Sequence, residues 1–267
     1  MKMASTRQVV ELVVLVDAGH AAGTQSHGET GWTLVFHAAS WRQMGEIPIQ
    51  IHEEELRVEW PGRSSREKDD WMARIKPYDT LRLRATLGHT AFEGTMAMAI
   101  ATDILGRVED AELADVARRL REPVTVQDAT LGPLTLDRRF KWYEGTAEWG
   151  GRSVIVRVDP ERGELGEALK TAHALWSSQA DWCRRVEDYA VQELLPLKNG
   201  AWADDEDEDV PPVTADDFKA RMALTQIYAG PRGEFTFWHD DGDLFYGHSI
   251  QVLGSLEGGF ESADIAG

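Results

Sequence analysis

Phe235–Gly267 reads FTFWHDDGDLFYGHSIQVLGSLEGGFESADIAG. The run decides the fold of the second half of the chain, because apolar and polar residues alternate on either side of a tight acidic turn, Asp240-Asp241-Gly242-Asp243. Asp-Gly supplies the positive φ angles that a short hairpin connection demands, so a strand, a turn and a second strand are expected. In the second strand Leu244, Tyr246, His248, Ile250 and Val252 share one face, with Phe245, Gly247, Ser249, Gln251 and Leu253 on the other. His248 thereby falls on a largely apolar face, a few residues beyond three carboxylates.

Moving upstream, Ala223–Ala229 reads as a strand leading into this hairpin. Thr214-Ala215-Asp216-Asp217 caps a short helix through Met222, since the threonine oxygen can accept a backbone N–H and Asp217 sits well in the first turn. Asp204–Asp209 (DDEDED) is six uninterrupted acids before Pro211-Pro212; like charges repel and cannot pack, so a solvated loop is expected. Gly163–Leu197 reads as two helices broken near Ser177-Ser178, each with an apolar stripe. Leu131–Leu136, Phe140–Trp149 and Arg152–Val158 read as strands, with Gly150-Gly151 a two-residue turn. Pro123–Thr130 reads as a linker.

The first half carries a strand at Gln8–Val16, a glycine-rich loop to Gly31, and strands at Gly31–Ala38, Glu55–Trp60, Thr80–Leu87 and Phe92–Ile100. A possible helix at 61–75 and an amphipathic one at Glu109–Leu120 complete it. The glycine loop has neither a G-x-x-x-x-G-K-[ST] nor a G-x-G-x-x-G pattern, so a connection is favoured over a nucleotide site. His52-Glu53-Glu54-Glu55 lacks the second histidine of an H-E-x-x-H zinc site and reads as a solvated cluster.

The chain has 267 residues, 42% of them hydrophobic, ten tryptophans and one cysteine. That composition is globular, and one cysteine excludes an internal disulfide and suggests a reducing compartment. No stretch is long and apolar enough to span a bilayer, so a cytoplasmic protein is expected. The net charge of −18 is uneven. Residues 1–126 hold 19 acidic against 15 basic side chains and the remainder 27 against 13. Phosphate contacts need Lys and Arg, so nucleic acid is expected to be excluded, while an acidic half could steer a basic partner.

Catalytic patterns are scarce. Asp240, Asp241, Asp243 and His248 could form a hard-metal or acid–base set. The spacing rules out an EF-hand loop, and acids around a tight turn are also ordinary turn chemistry. Gly247-His248-Ser249 is not a nucleophile elbow. Cys183 lies in a helix beside Trp182 and Val186, where a buried inert thiol is expected.

Three segments carry a resemblance: LGPLTLD at Leu131–Asp137, WYEGTAEW at Trp142–Trp149 and DDGDLFYGHSI at Asp240–Ile250, with the DIAG ending at Asp264–Gly267. Residues of about 130–267 resemble a bacterial domain-of-unknown-function family with that C-terminal box. The resemblance implies an α+β domain in a bacterial cytoplasmic setting and supplies no activity. Residues 1–126 show no such resemblance.

The sequence thus predicts an α+β protein: a mostly-β module with a terminal helix (1–126), then an antiparallel sheet with packed helices (127–267). It predicts a noncatalytic acidic interaction protein, in the manner of immunity or inhibitor proteins. A basic protein partner would bind through Asp204, Asp205, Glu206, Asp207, Glu208 and Asp209, with no nucleic acid, membrane or cofactor. The alternative is a metal-assisted hydrolase, with Asp240, Asp243 and His248 as catalytic groups and Asp240, Asp241, Asp243 and His248 as metal ligands.

Overall fold

The computed structural model describes residues 8–28, 30–90, 96–161, 163–202 and 211–267. The fold is α+β, and the chain divides into two compact units. One is Met1–Pro123 with Arg138–Phe140; the other is Val124–Asp137 with Lys141–Gly267.

The first unit runs β1 (Val9–Val16), β2 (Ala22–Thr24), β3 (Trp32–Gln43), β4 (Leu56–Arg63), α1 (Ser65–Arg74), β5 (Thr80–Thr90), β6 (Met96–Arg107) and α2 (Ala111–Arg121). Its strand order is β1-β5-β6-β4-β3-β2, and a further β1–β3 pairing closes β1, β5, β6, β4 and β3 into a ring. Period-two alternation explains how the ring fills. Leu12, Val14, Leu34, Phe36, Leu56, Val58, Leu81, Leu83, Ala99 and Ala101 point inward and are buried together. Two of β1's outward residues, Val13 and Leu15, are covered by Leu113, Val116 and Ala117 of α2. The Asp110 carboxylate starts that helix by accepting from Leu113 N (3.1 Å), and it also accepts from Arg42 Nε (2.8 Å). A capping box starts α1, with the Ser64 oxygen accepting from Glu67 N and Glu67 accepting from Ser64 N.

The second unit runs β7 (Thr125–Asp128), β8 (Gly132–Asp137), β9 (Trp142–Trp149), β10 (Arg152–Val158), α3 (Leu165–Trp176), α4 (Gln179–Lys198), α5 (Ala215–Arg221), β11 (Ala223–Ala229), β12 (Glu234–Asp240), β13 (Ser249–Ser255) and β14 (Gly259–Ala266). The eight strands form one sheet in reverse sequence order from β14 to β7. Neighbours are antiparallel except β10 and β11, which are parallel because the three helices cross over between them. The helices bury Ala168, Ala172, Leu175, Trp182, Val186 and Ala190 against Val154, Val156, Ile227, Phe235, Phe237 and Val252. Edge-to-face aromatic pairs tie this core, among them Trp149 with Trp176 (4.8 Å) and Trp182 with Phe235 (4.9 Å).

Two local expectations are corrected, and one strand is new. Thr125–Asp128, read as part of a linker, is an edge strand paired with β8. Gly259–Ala266, to which the sequence analysis assigned no element, is a strand at the opposite edge. The second strand of the C-terminal hairpin begins at Ser249, so Asp241–His248 is a loop of turns in place of a tight connection and a strand.

Candidate functional site

The loop Asp241–His248 is assembled around one carboxylate. Asp241 is only 1% exposed. Its Oδ1 accepts from Asp243 N (3.1 Å), and its Oδ2 accepts from Phe245 N (2.6 Å) and Gly247 N (3.2 Å). A buried carboxylate needs such partners, and amide donors supply charge-assisted bonds without a counter-ion. With the backbone drawn around Asp241, Leu244 and Phe245 are pressed fully into the core. Four residues are left in the left-handed region: Gly242 (φ 53°), Asp243 (φ 63°), Tyr246 (φ 57°) and Gly247 (φ 83°). A Cβ on Gly242 would lie 2.5 Å from the Arg221 carbonyl oxygen. Arg221 Nε returns a hydrogen bond to Gly242 O (2.8 Å).

The remaining members of the sequence-predicted set are placed apart by this loop. Asp240 is exposed at the end of β12 and accepts from Gly242 N (2.9 Å). Asp243 is exposed. His248 is half-buried off the sheet, donates through Nδ1 to Phe245 O (2.6 Å) and sits edge-on to Trp202 at 5.6 Å. Among the described residues no three His, Cys, Asp or Glu side chains gather as a metal set. The acidic residues Asp204, Asp205, Glu206, Asp207, Glu208 and Asp209 lie outside the described residues. Cys183 is half-buried, and its sulfur accepts from Trp149 Nε1 at 2.9 Å.

Sequence reading missed His239. Phe235, Phe237 and His239 alternate along β12, and all three are buried. The available signal was that same period of two, carried one residue before the acidic turn. Burial pushes the His239 pKa down to about 4.

The first unit offers a second kind of site. A five-stranded closed barrel with a helix between its third and fourth strands, and with the third and fifth parallel, has the topology of the OB-fold. In that fold the outer face of the second and third strands carries ligands. Here that face spans β3 and β4 and continues onto β6. Arg57 Nε donates to Glu59 Oε1 (2.7 Å), and His37 pairs with Glu55. Met98 lies opposite Arg57, and Ile100 opposite Glu59, both half-buried.

Residues 128–265 match the family described as "Uncharacterized protein conserved in bacteria (DUF2262)", and the chain belongs to that family. Residues 2–120 match a second family, "Domain of unknown function (DUF7021)", where the sequence reading had found no resemblance. No curated protein matches the chain. Similar solved structures include the small single-stranded DNA-binding protein of Streptomyces coelicolor, at 10% identity and TM-score 0.28 over 41% of this chain and 98% of that one. They also include the second such protein of Mycobacterium smegmatis, at 13% identity and TM-score 0.27 over 39% and 99%. A third is that of Thermus aquaticus, at 11% identity and TM-score 0.28 over 56% and 72%. The expectation of no nucleic acid is withdrawn on this finding, since these similar structures are single-stranded DNA-binding proteins. The error was to let a whole-chain charge of −18 speak for one unit, whose own balance is far closer to neutral. Among the described residues no helix is long and apolar enough to cross a membrane.

Proposed function

We propose that the chain is a noncatalytic interaction protein that engages its partner through the β3–β4–β6 face of the barrel. The observation that carries this reading is the barrel topology, whose corresponding face is the one generally used for binding. The residues of the face suit that use. Arg57 and Glu59 neutralise each other, so the surface presents a planar donor, an acceptor and two apolar side chains, Met98 and Ile100, without a large net charge. Arginine and methionine are enriched at interfaces for their adaptable contact area. In the C-terminal unit, the Asp240 and Asp241 carboxylates and the His248 ring are already engaged in folding their own loop, and Asp243 is exposed.

The test is retention of a partner from bacterial extract by immobilised full-length chain. Met98→Asp and Arg57→Glu should each lower retention by roughly tenfold, equivalent to about 1.4 kcal/mol, with unfolding unchanged. Asp243→Asn, in the acidic loop, should retain the partner like the wild type. The reverse pattern would overturn the reading, as would metal-dependent hydrolysis abolished by Asp243→Asn.

A further inference from the structure

A cavity of about 280 Å³ opens in the first unit at the C-terminal end of α1, where Trp71, Arg74 and Lys76 meet Leu81 of β5 and Arg107 of β6. Three of its lining side chains are cations, in a chain whose net charge is −18. The backbone places Arg107 there. Arg82 pairs with Gly106 but Leu83 with Ile104, so Leu105 is an extra residue on β6, and Gly106 takes a φ of 120° that side chains rarely adopt. Such a bulge re-aims the strand beyond it and is frequent at barrel rims and functional sites. The Arg107 guanidinium donates to Asp79 Oδ2 through Nε (3.0 Å) and Nη2 (2.8 Å), and to Arg74 O through Nη2 (2.7 Å). Asp79 Oδ2 also accepts from Lys76 N (2.9 Å), so the turn that carries Lys76 is held to the same guanidinium.

These bonds leave a defined charge. Arg107 and Asp79 cancel, whereas Arg74 and Lys76 are exposed and, among the described residues, neither has an acidic partner. The Arg74 guanidinium lies 4.6 Å from the centroid of the Trp71 ring, a contact that orients it without neutralising it. Two uncancelled positive charges at one concavity favour a doubly charged anion over a singly charged one, and guanidinium N–H groups suit the oxygens of a phosphate. The carbonyl end of α1 would oppose an anion, but Arg107 covers the Arg74 carbonyl with a donor, and the basic side chains offset the helix dipole. The volume is just under the usual range of ligand pockets, so the bound group is compact. We infer that the cavity binds the doubly charged head of a phosphate monoester through Arg74 and Lys76, beside the fixed Arg107. The site shares no residue with the β3–β4–β6 face set out above, and neither reading depends on the other.

Methyl phosphate and dimethyl phosphate make the test, because they share the phosphate centre and differ by one negative charge. Each is titrated into the full-length chain at about pH 8, where the monoester is doubly ionised, while the Trp71 indole and Arg74 Nε resonances are followed by NMR. Methyl phosphate should shift both resonances and bind roughly tenfold tighter than dimethyl phosphate. Arg74→Gln and Lys76→Gln, at exposed positions, should each weaken methyl phosphate by about tenfold with the fold intact. Arg118→Gln removes an equal charge from the exposed side of α2 and should leave binding unchanged. Short single-stranded oligonucleotides with and without a terminal phosphate separate the sources of the monoester. A phosphorylated strand that binds tighter than methyl phosphate assigns the site to strand ends, and one that binds no tighter assigns it to a small metabolite. Equal affinities for the two methyl esters would overturn the inference. So would resonances that methyl phosphate leaves unmoved, an equal loss in Arg118→Gln, or an unphosphorylated strand that displaces methyl phosphate as well as the phosphorylated one does.

Discussion

Replacing Asp241 should damage the C-terminal unit more than replacing any other acid of its loop. Asp241→Ala removes the acceptor of three backbone N–H groups, one of them fully buried at Phe245 and two partly buried at Asp243 and Gly247. A hydrogen bond to a charged group in a buried setting contributes about 1.5–3 kcal/mol, and part-buried ones about 0.5–1.5 kcal/mol each. The expected loss is therefore roughly 3–5 kcal/mol, after allowing for the relieved burial of the charge itself. Asp241→Asn can keep one oxygen toward Phe245 and Gly247 but turns an NH₂ toward Asp243 N, so about 1–3 kcal/mol is expected. Asp243→Asn should be close to neutral, because its side chain is exposed and Asn tolerates a φ of 63° as well as Asp does. Two units preclude a single two-state transition, so the assay is urea unfolding followed by hydrogen exchange at peptides covering Phe245 and Gly247. An Asp241→Ala variant within about 1 kcal/mol of wild type would refute the reasoning. Its place would then be among acids kept for chemistry, whose removal often stabilises.

Gly242→Val should destabilise the same unit by about 1–3 kcal/mol in urea unfolding, since it combines a left-handed φ of 53° with a Cβ 2.5 Å from Arg221 O. The stability of this unit should also depend on His239. Its folded pKa of about 4 lies below the ordinary 6.5, so between those values the unfolded chain binds a proton that the folded chain does not. Stability should be level above about pH 6.5 and fall by up to roughly 3 kcal/mol as pH drops to 4, and His239→Leu should flatten that slope. In the barrel unit, Ser64→Ala should cost about 1 kcal/mol, read as a lower thermal midpoint for that unit alone, because the capping box at α1 is lost.

Local signals made most elements legible. Val154, Val156 and Val158 alternate with exposed neighbours and gave β10, and Ser177-Ser178 marked the break between α3 and α4. Thr214 was recognisable as a cap, and its oxygen accepts from Asp217 N at 3.2 Å. What escaped was decided at a distance. Leu244, Tyr246 and His248 imitate a strand, yet the backbone is turned by the Asp241 carboxylate and by a tertiary contact of Gly242 with Arg221. Barrel closure depends on β1 meeting β3, with Leu12 opposite Gln43, a pairing that no local pattern encodes. His239 was overlooked for His248 because the misplaced strand start put the wrong histidine on the apolar face.

The central claim, that the chain acts by binding through the barrel face, is tested most directly by site-specific photo-crosslinking in a native bacterial host. A photoreactive phenylalanine is placed singly at Met98, at Ile100 and, as controls, at Arg84 on β5 and Asp243 in the acidic loop. The account predicts a discrete adduct from Met98 and Ile100 and none from the controls. Digestion by nuclease or by protease then tells which class of partner is attached. Adducts confined to Asp243, or absent from both face positions, would contradict it.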